Sequence, residues 1–113
     1  MASRYRLVHH PAASADYRDA IEFFAGVDQR LAELFREDFK SALRGTATGR
    51  VSSTLYSSKH GIRWVKLRRF SHKIFFEPEG DNVRFVLAVI SGLRHPGRIK
   101  FTLGRRRYRP RGT

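Results

Sequence analysis

The chain has 113 residues, is 41% hydrophobic and 12% aromatic, and so fits one globular domain with a modest core rather than a disordered segment. Its formal charge of +13 at pH 7 points to a polyanionic partner: DNA, RNA or an acidic protein. Zero cysteines exclude disulfides, thiolate catalysis and cysteine-based zinc sites, and no run of about 18 apolar residues exists to span a membrane. The first residues, MASRYRLVHHP, lack the apolar core of a signal peptide, which is compatible with a cytoplasmic protein. The charge is unevenly spread. Seven of the ten acids fall within residues 16–38, and the other three, Glu77, Glu79 and Asp81, fall in one turn. Solubility alone does not require such asymmetry.

Residues 4–9 (RYRLVH) alternate and predict a first strand. His9 and His10 point to opposite faces of it, which suits neither a shared metal nor a catalytic pair. Residues 11–25 predict a helix, with Tyr17, Ala20, Ile21 and Phe24 on one stripe, Pro11 in its first turn and Gly26 as its stop. Asp28 caps a second helix, in which Leu31, Leu34, Phe35, Phe39, Ala42 and Leu43 recur at helical spacing as far as Gly45. The link Gly26–Val27 is so short that the two helices must form an antiparallel hairpin, and a sheet must cover what they cannot bury on each other. Residues 45–61 are rich in Gly, Ser and Thr and predict a loop with a brief extended piece at Leu55 and Tyr56. Tyr56 and His60 are either proton-transfer groups or, more plainly, exposed polar residues.

Residues 64–69, 72–77 and 83–90 then predict a three-stranded antiparallel meander, joined by a short link at 69–71 and a polar turn at 78–82. The last run is almost wholly apolar, as in a strand with neighbours on both sides and cover on both faces. The helical hairpin covers one face. The other is expected to mix Trp64, Lys66, Arg68, Lys73 and Phe75, cations among aromatics, which is a nucleic-acid pattern. Residues 99–103 predict a short edge strand. Residues 104–113 predict a disordered basic arm appended to a domain of residues 1–103. From Arg94 onward there are eight Lys and Arg and no acid. No phosphate-binding glycine loop, HExxH or GxSxG motif occurs, and no metal or other cofactor is expected.

The fold class expected is therefore α+β: strand, two-helix antiparallel hairpin, meander. That order, together with Gly-Ile-Arg at 61–63, Lys66-Leu67-Arg68, Lys73-Ile74-Phe75-Phe76 and the exit Val89-Ile90-Ser91-Gly92-Leu93-Arg94-His95-Pro96, resembles the RelE/ParE superfamily of bacterial type II toxins. The resemblance covers about residues 4–96. It implies a growth-arresting toxin held inactive by a cognate acidic antitoxin that contacts the helical hairpin, at Phe24, Leu31, Phe35 and Phe39.

The superfamily has two branches. ParE-like members poison DNA gyrase and need a binding surface, here Arg63, Trp64, Arg68, Arg69, Arg94 and His95. RelE-like members cleave mRNA on the ribosome, and Lys66, Lys73 and Arg94 match positions of basic catalytic residues in that branch. The exit carries Ser91 where some members place a His, and no Tyr follows Arg94 until Tyr108. These departures, and the Gly92–Pro96 exit, favour the ParE-like branch. A basic nucleic-acid-binding domain without toxicity is a third alternative.

Overall fold

The computed structural model describes residues 3–107. The chain is α+β: β1 (Arg6–His9), α1 (Pro11–Val27), α2 (Gln29–Thr48), β2 (Thr54–Ser57), β3 (Ile62–Lys66), β4 (His72–Glu79), β5 (Val83–Ser91) and α3 (Pro96–Arg107). The five strands form one mixed sheet in the order β1-β5-β4-β3-β2. The meander β3–β4–β5 is antiparallel, as its patterning predicts, with Val65 opposite Ile74 and Ile74 opposite Val89. β1 runs parallel to β5, Arg6 opposite Val83. β5 therefore has neighbours on both edges, which accounts for its continuous apolar run.

The hairpin of α1 and α2 turns on a single residue. Asp28 is extended (φ −163°); its backbone N–H closes the last turn of α1 on Phe24 O, while its carboxylate accepts from Arg30 N at 2.9 Å and caps α2. Gly26 is therefore helical rather than a stop. Gly45 is also inside its helix. Added Cβ there would lie 2.1 Å from Val51 Cγ2, so the glycine makes room for Val51 to close over α2. The helix ends instead at Gly49, whose φ of 75° is the left-handed conformation a glycine adopts cheaply. The extended piece around Leu55 is β2, paired with β3.

Two cores lie on the two faces of the sheet. Under the hairpin, Phe35, Phe39 and Ala42 pack on Val65, Leu67, Ile74, Phe76, Val86 and Val89. On the far face, Ile62, Phe75, Phe85, Leu87, Ala88 and Ile90 pack under Ile99 and Leu103 of α3. The short strand expected at 99–103 is thus a helix. Its Ile99 and Leu103 sit one helical turn apart on the buried side, each contributing about 1.5–3 kcal/mol by leaving water. The far face is correspondingly not open: Phe75 is 1% exposed beneath α3. Of the arm expected at 104–113, residues 104–107 are the last turn of α3, and residues 108–113 lie outside the described residues.

A bulge decides how the faces are filled. Phe75 pairs with Ala88 but Phe76 pairs with Val86, so Leu87 is an extra residue. Leu87 and Ala88 consequently both face the α3 core. β1 pairs with residues 83–86 only, so the adjoining stretch of the β5 edge has no strand beside it. Side chains satisfy it instead. Val89 N donates to Asp16 Oδ2 at 2.9 Å, and Arg106 Nη1 donates to Leu87 O at 3.2 Å. Asp16 and Arg106 also form a bidentate ion pair, Nη2 to Oδ1 at 3.0 Å with Nη1 on Oδ2, each side chain 18% exposed. Arg107 Nε bonds Glu77 beside it, at 2.5 Å.

Removing either member of the Asp16–Arg106 pair strands the other and frees a strand-edge group. Asp16→Ala or Arg106→Ala should each cost about 2–4 kcal/mol. The double substitution should cost less than the sum of the two, read from urea unfolding midpoints.

Candidate functional site

Three cations that the sequence singles out, Lys66, Lys73 and Arg94, lie toward one end of the sheet. Lys66 on β3 lies directly opposite Lys73 on β4; Lys73 leans over Trp64, while Lys66 also lines the groove beside α2. Like charges opposed across a ladder repel, by about 0.2–1 kcal/mol, and no acid among the described residues pairs with either. Lys66 Nζ donates to Leu67 O at 2.9 Å. Lys73 Nζ sits 4.1 Å from the centre of the Trp64 ring, so the aromatic face supplies part of the stabilisation that a carboxylate would otherwise give.

The exit from β5 brings in the third cation. Gly92 N donates to Ser71 O at 2.8 Å, and Arg94 N to Ser91 O at 3.1 Å, so the chain folds tightly beside the β3–β4 turn. A Cβ on Gly92 would meet Ser71 O at 2.7 Å and Lys73 Cε at 3.6 Å. The Ser71 carbonyl is what requires glycine here, while Lys73 would meet the methyl at ordinary van der Waals distance. Arg94 is exposed, and its charge reaches His72. Leu93 beside it is 87% exposed.

The other expected contacts are distributed differently. Arg63 donates to Ser53 Oγ at 2.6 Å and Ser53 O at 2.8 Å, tying the approach to β2 onto the sheet. Arg69 binds Asp38, from its backbone N at 2.7 Å and Nε at 3.1 Å, and Asp38 is 5% exposed. Both are structural cations. Arg68 is exposed on the rim of a groove of 580 Å³ between α2 and β3, where Lys40, Arg44 and Lys66 also stand. His95 spends Nδ1 on Gly97 N, 3.0 Å, and caps α3. On the hairpin, Phe35 and Phe39 are 0% and 8% exposed in the core and leave a partner almost nothing to touch. Phe24 packs on Phe35 and Phe70, and Leu31 is half-buried. The exposed apolar groups there are Phe23 and Val27, at 67% and 65%.

Two histidines flank the cations, and neither faces them freely. His95 is the helix cap. His72 turns to the hairpin side, edge-on to Phe35 at 5.0 Å and Phe24 at 5.8 Å, with Nδ1 buried and without a hydrogen-bond partner among the described residues. Burial first, and Arg94 second, lower its pKa from the ordinary imidazole value. Tyr56 and His60 sit apart, lining a cleft of 920 Å³ against Lys100 and Arg107 of α3. No group of His, Asp and Glu among the described residues is placed to hold a metal ion.

α3 also adds residues that the linear reading missed: Arg98, Phe101 and Arg105, at i, i+3 and i+7 on its outer side. Pro96 after a capping His95, with Ile99 and Leu103 four apart and three arginines in the last turn, is a helix signal. Gly97 and Gly104 obscured it. No known protein family and no curated protein matches this chain.

His72 is neutral in the fold over a range where the unfolded imidazole, with its pKa near 6.5, is protonated. The unfolded chain then binds the extra proton, so His72's contribution is complete above about pH 6.5 and declines as the pH falls below it. Replacing it with Phe should flatten that part of the stability–pH curve, measured by urea unfolding between about pH 5 and 7.5. Gly92→Ala should destabilise by about 1–3 kcal/mol, since backbone must move to admit the methyl.

Proposed function

We propose that this chain is the toxin of a type II toxin–antitoxin pair, a ParE-like inhibitor of DNA gyrase neutralised by an acidic antitoxin. The observation that carries the reading is the opposed Lys66–Lys73 pair beside Trp64, which continues into Arg94 and the exposed Leu93. Two unneutralised ammonium groups favour a phosphate, and the exposed leucine favours apolar protein surface. A gyrase–DNA cleavage complex presents both together. Binding would then trap the cut complex, with no proton transfer asked of the bound chain. The two nearest histidines support this, since one caps a helix and the other lies among phenylalanines.

The acidic partner has a fitting surface. The groove between α2 and β3 carries Lys40, Arg44, Lys66 and Arg68, and its two acids, Glu37 and Asp38, are both paired with Arg69. An antitoxin segment lying there would cover Lys66 and so compete with the target for the same charge. Phe23 and Val27 offer apolar anchors at the far end of the hairpin. They take the place of Phe35 and Phe39 as contact candidates.

The RelE-like reading, a ribosome-dependent mRNA endonuclease, is favoured by one observation: Lys66, Lys73 and Arg94 stand at the same end of the sheet. Three cations there would stabilise the charge that builds on a phosphate under attack by the neighbouring 2′-hydroxyl. The chemistry also needs a group to move the hydroxyl proton, and one of the two lysines is the candidate.

Induced expression should arrest growth and induce the DNA-damage response, and purified gyrase should accumulate linear DNA in its presence. Lys66→Ala, Lys73→Ala and Arg94→Ala together should abolish both with the circular dichroism unchanged. Cleaved transcripts with no gyrase-dependent breaks would replace this reading with the endonuclease. Harmless expression without any antitoxin would leave only a binding domain.

A further inference from the structure

α3 has two unlike sides. Ile99 and Leu103 are 8% and 2% exposed against the sheet, while Phe101 is 65% exposed on the outside. Arg98 and Arg105 flank it at helical spacing, and the Arg105 guanidinium carbon lies 5.7 Å from the ring centroid. Arg106 and Arg107 are tied to Asp16 and Glu77, whereas Arg98 and Arg105 have no ion partner among the described residues. Phe101 lines two grooves. One, of 580 Å³, is bounded by Arg94 and Arg98, and the other, of 390 Å³, by Arg105 and Arg106. The ring is thus a ridge between two basic channels.

We infer that this outer face of α3 binds a single-stranded segment of nucleic acid, with phosphates on Arg98 and Arg105 and an unpaired base stacked on Phe101. An exposed ring beside guanidinium groups is what an unpaired base covers best, since base and ring meet face to face and the arginine adds its charge. A duplex keeps its base faces hidden, and an acidic peptide leaves the flat ring unmatched. From Arg98 to Arg105 the helix advances about 10 Å, room for roughly three stacked nucleotides at 3.4 Å each. Phosphate contact and ring stacking are open to both kinds of strand, so DNA and RNA bind alike. This surface is separate from Lys66 and Lys73 and is required by neither the gyrase nor the antitoxin reading.

The test is fluorescence anisotropy on the full chain with labelled oligothymidine and oligouridine of about 12 nucleotides, a matching duplex, and an abasic strand of equal length. Phe101→Leu keeps the apolar bulk and loses the ring. It should weaken both single strands roughly tenfold and leave the abasic strand unchanged, while Phe101→Trp retains affinity. Arg98→Ala and Arg105→Ala should each flatten the dependence of log affinity on log salt by about 0.7. Because Lys66, Lys73 and Arg94 remain in every variant, a negative result leaves the gyrase reading intact. Phe101→Leu binding the single strands as wild type does would overturn the inference. So would a duplex bound as tightly as the single strand, or loss of affinity for phosphatidylserine vesicles with oligonucleotide binding unchanged.

Discussion

The ion pair between Asp16 and Arg106 is the contact on which the architecture depends. β1 is only four residues long and leaves part of the β5 edge without a partner strand. A bare edge beside two apolar cores is costly, because backbone groups there lose water without gaining a ladder. The carboxylate takes the Val89 N–H and the guanidinium takes the Leu87 carbonyl, and each neutralises the other. Asp16 comes from α1 on one side of the sheet, and Arg106 from α3 on the other. One pair therefore completes the strand and fastens the helical layers across it. The bulge at Leu87 sits at the same place, where an unpaired residue is tolerated because the edge is already irregular.

This arrangement sorts the cations into two populations that look the same in composition. Arg63, Arg69, Arg106 and Arg107 each hold a backbone carbonyl or a buried carboxylate. Arg84 lies 3.7 Å from the centre of the Tyr5 ring, donates to Thr46 O, and has its pKa lowered chiefly by burial. Those arginines are internal fittings. Lys73, Arg94, Arg98 and Arg105 have no such employment among the described residues, and Lys66 holds only the carbonyl of its own neighbour, Leu67. The net charge overstates the binding surface, and the placement of the acids in the fold is what corrects it.

Much of the layout is legible in the residues, and the failures share a cause. Strong periodicity located both long helices and all three meander strands to within a few residues, since tertiary packing and local pattern agree there. Gly26 and Gly45 misled because a glycine stops a helix only when the chain needs a left-handed turn, and at Gly45 it serves close packing with Val51 instead. α3 was hidden by its glycines and by its charge. Its reason for being helical is the apolar far face of the sheet, which no local window contains. Likewise, the opposition of Lys66 to Lys73 follows from register, but their freedom from acids follows only from where Asp38, Asp16 and Glu77 are spent. Phe35 and Phe39 count as contact residues only through the resemblance, and the chain's own sheet covers them.

The parallel pairing of β1 with β5 has a consequence for the birth of the chain. Arg6 finds its place against Val83, and Asp16 finds its counter-ion only at Arg106. During synthesis the first strand and the helical hairpin therefore emerge long before the surfaces that receive them. The hairpin's apolar stripe stays uncovered until the meander is out, and closing so long a loop slows folding further. The last turn of α3 leaves the ribosome only after the whole meander is out. Vectorial synthesis thus builds in a delay, during which the chain is an incomplete sheet with an open hairpin and a second protein has time to reach it.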